Sequence, residues 1–261
     1  MLIVWAGEVK GQSCTPQIRK YASIQQVNLG LLTSVDNPGN AVDGIPQNFS
    51  TLNAVLAVGS LITVTQFLKF DAPVASGTAV TVKATFPASI LSLLGGIEIQ
   101  PFNNLNKPFL GNWQADPIGQ VVSSATLLGL LNGAGEMEVT FVPENAGGAA
   151  VSYEGVWIRL SGGAIGKSLN LLHAYIKQNT TGAIDCNTPI DILSGVRAGT
   201  VIGGIANATG SVIDPWAAID NDPTLSTYAE MNVGVQVLSD VFHTTIFKTQ
   251  AQPGAAIQMV I

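Results

Sequence analysis

Shifted by 177 residues, part of this chain lies over itself. Ser34-Val35 falls on Ser211-Val212, Pro38 on Pro215, Ala41 on Ala218, Asp43 on Asp220 and Pro46 on Pro223. Farther along, Leu61 meets Leu238, Val64 meets Val241, Phe70 meets Phe247, Gly77 meets Gly254 and Ala79 meets Ala256. Ser50-Thr51 matches Ser226-Thr227 after a one-residue slip. About twelve identities in about fifty columns is roughly three times chance for this composition, the mark of one structural unit used more than once. Upstream, Cys14-Thr15-Pro16 is echoed by Cys186-Asn187-Thr188-Pro189. The organisation expected is an N-terminal strand or signal remnant over 1–13, a complete module over 14–185 and an incomplete second module over 186–261. The second copy stops at the equivalent of Lys83 or Ala84, on the alternating segment Ala256–Ile261. A half sandwich exposes an apolar face and an open edge, so more chain or a neighbouring molecule is expected to complete it.

Composition indicates what the unit is made of. Hydrophobic residues reach 47% and charged residues only 11% of the 261, which raises the question of a membrane protein. The apolar runs Asn53–Leu68, Ala88–Ile99 and Ser123–Leu131 are broken by Gly, Ser, Thr or Asn before the ~20 residues a spanning helix needs. Val, Ile, Ala and Leu mixed with Thr, Ser, Asn and Gly suit short strands and tight turns instead. Glu136–Val142 alternates, with Met137, Val139 and Phe141 facing inward; Val156–Leu160 places Val156, Ile158 and Leu160 inward; Val80–Phe86 is a third strand. Turns are marked at Asn37-Pro38-Gly39-Asn40, Asp43-Gly44, Asn132-Gly133, Asn145–Gly148 and Gly162-Gly163. Short helical turns are expected at Ile90–Leu94 and Ser123–Leu131. The fold class predicted is all-β, an antiparallel β-sandwich of jelly-roll kind. A net charge of −6, with eleven basic residues scattered along the chain, leaves no footprint for nucleic acid or an anionic membrane.

The stretch Asn37-Pro38-Gly39-Asn40-Ala41-Val42-Asp43-Gly44, followed by Phe49-Ser50-Thr51, resembles a signature of large repeat-built, adhesin-like surface proteins of Bacteroidota. The later order is similar too: Leu127–Leu131, then Val139–Pro143, Val156–Leu160, Gly162-Gly163 and Leu169–Leu172. The Ala-x-Asp-Gly element also resembles the first turn of galactose-binding-like, discoidin-type sandwiches. The resemblance covers most of copy one and the start of copy two. It implies a secreted adhesin-like module, extracellular or at the cell surface, with a calcium ion held near that turn. Asp36, Asp43, Asp220 and Asp222 are the candidate calcium ligands, since hard carboxylate oxygens crowded in a loop suit Ca2+; Asp and Asn are equally ordinary turn formers. Copy two departs from the pattern, with Asp220-Asn221-Asp222 in place of Asp43-Gly44-Ile45.

No catalytic constellation stands out. Ser161–Ser168 ends in Gly-Lys-Ser, but the first glycine a phosphate-binding loop requires is Ser161, so a Gly-rich hairpin is expected. His173 and His243 sit singly and are read as satisfied or surface histidines. Glu136 and Glu138 share a strand face and are read as its solvated side rather than as a glycosidase pair. Cys14 and Cys186 are disulfide candidates, too far apart for a zinc motif.

The function expected is non-enzymatic: an extracellular structural or adhesive protein, self-assembling with copies of itself into a filament or surface layer by strand complementation. Leu2, Val4 and Trp5 would be the donor residues, and Ile257, Met259 and Ile261 would belong to the acceptor half module. The alternative is a carbohydrate-binding module of a secreted multidomain protein, binding surface glycans through exposed Trp113, Trp157, Trp216 or Tyr153. A hydrolase fragment is the third class.

Overall fold

The computed structural model describes residues 16–54, 62–86, 96–123, 133–161, 167–181, 188–198, 200–201, 204–205, 210–222, 224, 226–233 and 239–249. Both cysteines, the donor and acceptor segments named above, the expected helical turn at Ile90–Leu94, the one at Ser123–Leu131 apart from the strand residue Ser123, and residues 162–166 lie outside these residues. The strands that end at Ser161 and begin at Lys167 belong to different sheets, so they do not pair as the expected Gly-rich hairpin. The strands of the first repeat are β1 Gln17–Tyr21, β2 Ile24–Leu29, β3 Thr33–Asp36, β4 Ser50–Ala54, β5 Thr63–Val74, β6 Val80–Phe86, β7 Ile97–Asn106, β8 Gln114–Pro117, β9 Val122–Ser123, β10 Gly133–Phe141, β11 Tyr153–Ser161 and β12 Lys167–Asn179. The second repeat adds β13 Pro189–Ala198, β14 Thr200–Val201, β15 Gly204–Ile205, β16 Gly210–Ile213, β17 Glu230–Val233 and β18 Ser239–Phe247. One-turn 3-10 helices occupy Pro38–Val42 and Pro215–Ile219.

Every strand pairing is antiparallel, in two main sheets that form a sandwich consistent with a jelly roll. The larger sheet runs β18-β13-β10-β6-β12-β4-β3, with β1 also paired to β12; the smaller runs β2-β5-β11-β7-β8, with β9 also on β7. The core lies between them. Leu52, Val80, Val82, Leu169, Leu171 and Ala174 come from the larger sheet, and Val64, Leu68, Phe70, Ile97, Val156, Ile158 and Leu160 from the smaller. The alternation expected of β6, β10 and β11 holds: Val139 is buried, and Met137 and Phe141 pack against the core as partly buried residues. At roughly 1.5–3 kcal/mol for each large apolar side chain removed from water, this layer carries most of the stabilisation.

The larger sheet is continuous across the position where the repeat restarts, because β13 pairs with both β10 and β18. The crossing is close. Gly135, at φ +130°, has no room for a side chain, which would collide with the backbone of Ser194 and Gly195. β16 and the second 3-10 turn fall 177 residues after β3 and the first. The following strand does not keep that spacing. Thr33 pairs with Ala54 but Gly210 pairs with Val233, so copy two holds two extra residues in this hairpin. Ser226 and Thr227 are accordingly not the counterparts of the strand residues Ser50 and Thr51, and bond instead to Asp222 and Asp220.

Candidate functional site

One face of the larger sheet is far more polar than its burial allows without partners. Pairing sets Lys83 beside both His173 and Glu138, and Thr81 beside Tyr175 and Thr140, while β1 adds Tyr21 and Arg19 along the edge. A β-bulge at Leu172 makes this face possible. Leu169 and Leu171 point into the core, the extra residue shifts the phase, and Ala174 and Ile176 point in while His173 and Tyr175 point out. Strict alternation from Leu171 would have put residue 173 in the core.

The second repeat covers this face. Asp191 of β13 places its carboxylate between two cations: Lys83 Nζ donates to Oδ1 at 2.5 Å and Arg19 Nη1 to Oδ2 at 2.7 Å. Lys83 Nζ also donates to the Ile192 carbonyl at 2.7 Å, pairs with Glu136 Oε2 at 3.0 Å and lies 5.5 Å from the ring centroid of Trp216. Arg19 reaches Glu138 Oε1 at 3.3 Å and stacks over the Tyr175 ring, whose hydroxyl donates to the same Glu138 oxygen at 3.0 Å. The side chains of Lys83 and Asp191 are fully buried, and those of Glu136 and Glu138 are 14% and 17% exposed. The reading of Glu136 and Glu138 as a solvated side is thus corrected: their neighbour in space is the second repeat, not water.

Electrostatics follow from burial. Desolvation pushes the Glu136 carboxyl up against the pull of Lys83, and Asp191 and Glu138 push it the same way. Burial drives the His173 imidazole down to about 3, with Asp191 opposing and Lys83 and Arg19 reinforcing. Burial disfavours the charge of Arg19, and Tyr175, Glu138 and Asp191 outweigh it, so its guanidinium stays charged. His173 is neither satisfied nor at the surface, as the sequence had suggested. Both ring nitrogens lack a hydrogen-bond partner, and the ring packs edge-on to Tyr21 at 5.0 Å. Glu138, His173 and Asp191 offer ligand atoms within 4.8 Å of one another, the spacing of a metal centre. Two cations already occupy that space, which makes it a poor host for a third.

Of the aspartates expected to hold calcium, Asp36 ends β3, while Asp43, Asp220 and Asp222 lie in turn and loop segments and accept bonds from their own loops. Asp43 accepts from Ile45 N at 2.8 Å and Asn48 Nδ2 at 2.7 Å, and Asp36 from Asn53 Nδ2 at 2.9 Å. Asp220 accepts from Asp222 N and Thr227 Oγ1, and Asp222 from the backbone and hydroxyls of Thr224 and Ser226. The Ser226 and Thr224 donors hold the Asp222 carboxyl well below the usual range.

A second site lies on the outer face of the smaller sheet. Phe67, Phe102 and Trp157 form a separate apolar cluster, covered by Leu105, Trp113 and Ala115 from the β7–β8 hairpin as it folds back. Asn28 pins that hairpin: its Nδ2 donates to the Trp113 carbonyl at 2.7 Å, and its Oδ1 accepts from Trp113 N at 2.8 Å. Asn104, at φ 54°, donates to Asp116 at 2.7 Å, and Asn106 to the Asn104 carbonyl at 2.9 Å. Held at the tip are Phe109 and Leu110, 101% and 83% exposed, beside exposed Lys107 and Asn112. Lys107 Nζ lies 5.8 Å from the Trp113 ring centroid.

Of the aromatics expected as sugar platforms, Trp113 and Trp216 are half-buried, whereas Trp157 and Tyr153 are buried. Tyr153 is a core residue whose hydroxyl donates to the Thr78 carbonyl. Phe109 was missed, although two large apolar residues set between Pro108 and Gly111 are a readable signal.

No protein-family model matches the chain, and no curated protein matches its sequence. Among solved structures, the lectin domain of lectinolysin complexed with Lewis B antigen aligns over 62% of this chain and 96% of its own, at 13% identity and a TM-score of 0.34. The family 32 CBM from C. perfringens NanJ in complex with galactose aligns over 62% and 99%, at 11% identity and a TM-score of 0.31. A Streptococcus pneumoniae fucose binding module aligns over 64% and 96%, at 12% identity and a TM-score of 0.31.

Proposed function

We propose that this chain is a non-catalytic, glycan-binding adhesive module of a repeat-built extracellular protein, and that it meets its ligand with the Lys107–Trp113 tip. The observation that carries the reading is Phe109, a fully exposed aromatic on a loop fixed by reciprocal hydrogen bonds to Asn28. A large apolar ring kept in water on an anchored hairpin is pre-organised for contact, since little conformational freedom is lost when it is covered. A sugar offers an apolar C–H face to an aromatic ring and hydroxyls to planar polar groups. Asn106, Asn112 and Lys107 stand exposed beside Phe109 to meet them. The Glu136, Glu138 and His173 cluster lies beneath the second repeat, which favours a structural role for it over turnover.

The full chain screened on a glycan array should show saturable binding, and Phe109→Ala should weaken it at least tenfold without changing the melting temperature. Wild-type protein that binds no glycan, or a variant that binds as well, would overturn the reading.

A further inference from the structure

We infer that Arg19 and Lys83 form a carboxylate-specific docking site on the first repeat, and that its ligand is the Asp191 side chain of the second. The two cations come from different strands, β1 and β6, and meet only because both border β12. Each takes a different oxygen of the same carboxylate, the geometry expected of a receptor for a planar anion. The walls are built: Tyr175 stacks under the guanidinium, Glu138 fixes its far side, and Glu136 Oε2 lies 3.0 Å from Lys83 Nζ. Arg19 and Lys83 are each more than nine-tenths buried, so neither can turn to water if the carboxylate leaves.

The ligand is a residue of the following repeat. β13 crosses Gly135 and leads Asp191 onto the polar face, while Trp216 from the second 3-10 turn closes over Lys83. The site is therefore a joint that sets one repeat against the next through a single acidic group. When Asp191 is cut back, Lys83 keeps Glu136 and Arg19 keeps Glu138, but each buried cation loses its shortest carboxylate contact, and the space left between them should accept a small free carboxylate.

The test is chemical rescue of the full chain. Asp191→Ala should melt well below wild type in sodium chloride. Sodium acetate at equal ionic strength should raise the variant's midpoint by about 2–4 °C more than it raises wild type. Asp191→Asn fills the space with a neutral amide and should gain nothing from acetate. If Asp191→Ala is unfolded in chloride, the readout becomes the folded fraction in acetate against chloride. An equal response of Asp191→Ala and wild type to acetate, equal folded fractions in the two salts, or an equal response of the Asn variant overturns the proposal. Glycan binding at the hairpin tip does not enter this experiment, so the two readings fail separately.

Discussion

Asn37 enters its 3-10 turn at φ 50° and ψ 51°, and Asp214 enters the corresponding turn at φ 46° and ψ 50°. Both turns carry proline first, close with a bond from the third helical residue to that entry carbonyl, and leave through an aspartate whose Oδ1 accepts from the residue two places on. The surroundings differ. Ala41 is 1% exposed and Gln66 reaches the Pro38 carbonyl, whereas Ala218 is exposed and no residue of the second turn is buried. A backbone that survives such a change of environment is specified locally, by proline, a left-handed Asn or Asp and an Asx turn. Burial is a separate property. The first repeat supplies it with its two facing sheets; among the described residues the second meets the first through β13 and through Asp191, Ile192 and Trp216 around Lys83.

The sharpest way to break that comparison is the aligned pair Phe70 and Phe247, the first fully buried and the second partly exposed. Phe70→Ala should cost about 3–5 kcal/mol in denaturant unfolding, and Phe247→Ala less than half as much. Equal costs would mean that the repeats are equally packed. Acidification probes the histidines in the same way. His173 holds a folded value near 3 against an ordinary 6.5, so the stability from its neutral form is complete above pH 6.5 and is lost as pH falls towards 3. Wild type should lose stability steadily relative to His173→Phe as the pH falls across that window. His243 is shifted down by partial burial only, and His243→Phe should change the slope less.

Ala41→Leu should cost about 1–3 kcal/mol through overpacking, against a change within about 0.5 kcal/mol for Ala218→Leu. The smallest effect concerns what the turns share. Asn37→Gly and Asp214→Gly should each change stability by no more than about 1 kcal/mol, and by the same amount within about 0.5 kcal/mol, since both relieve one left-handed residue. A larger gap between them would show that burial, and not local chemistry, holds the turn.

Much of the fold was legible because it depends on period and on turn residues. β6, β10 and β11 follow from alternation, and Asn145–Gly148 is a turn because the Asn145 side chain accepts from Gly147 N and Ala149 N. The candidate sites were less legible. The bulge at Leu172 inverts the phase midway through β12, so no periodic reading puts His173 and Tyr175 on the polar face. Glu136 and Glu138 look solvated to any rule that asks only which side faces the core of their own sheet. Asp191 stands more than a hundred residues from either cation it bridges.

The sequence by itself determined the all-β class, the strands β6, β10 and β11 and turns such as Asn145–Gly148, because strand alternation and turn chemistry act over a few residues. Only the tertiary structure decided which polar face would be sealed and which aromatic would stay in water. Those outcomes depend on where β13 and the β7–β8 hairpin come to lie, and desolvation is a property of the space a side chain occupies, not of its neighbours in the chain.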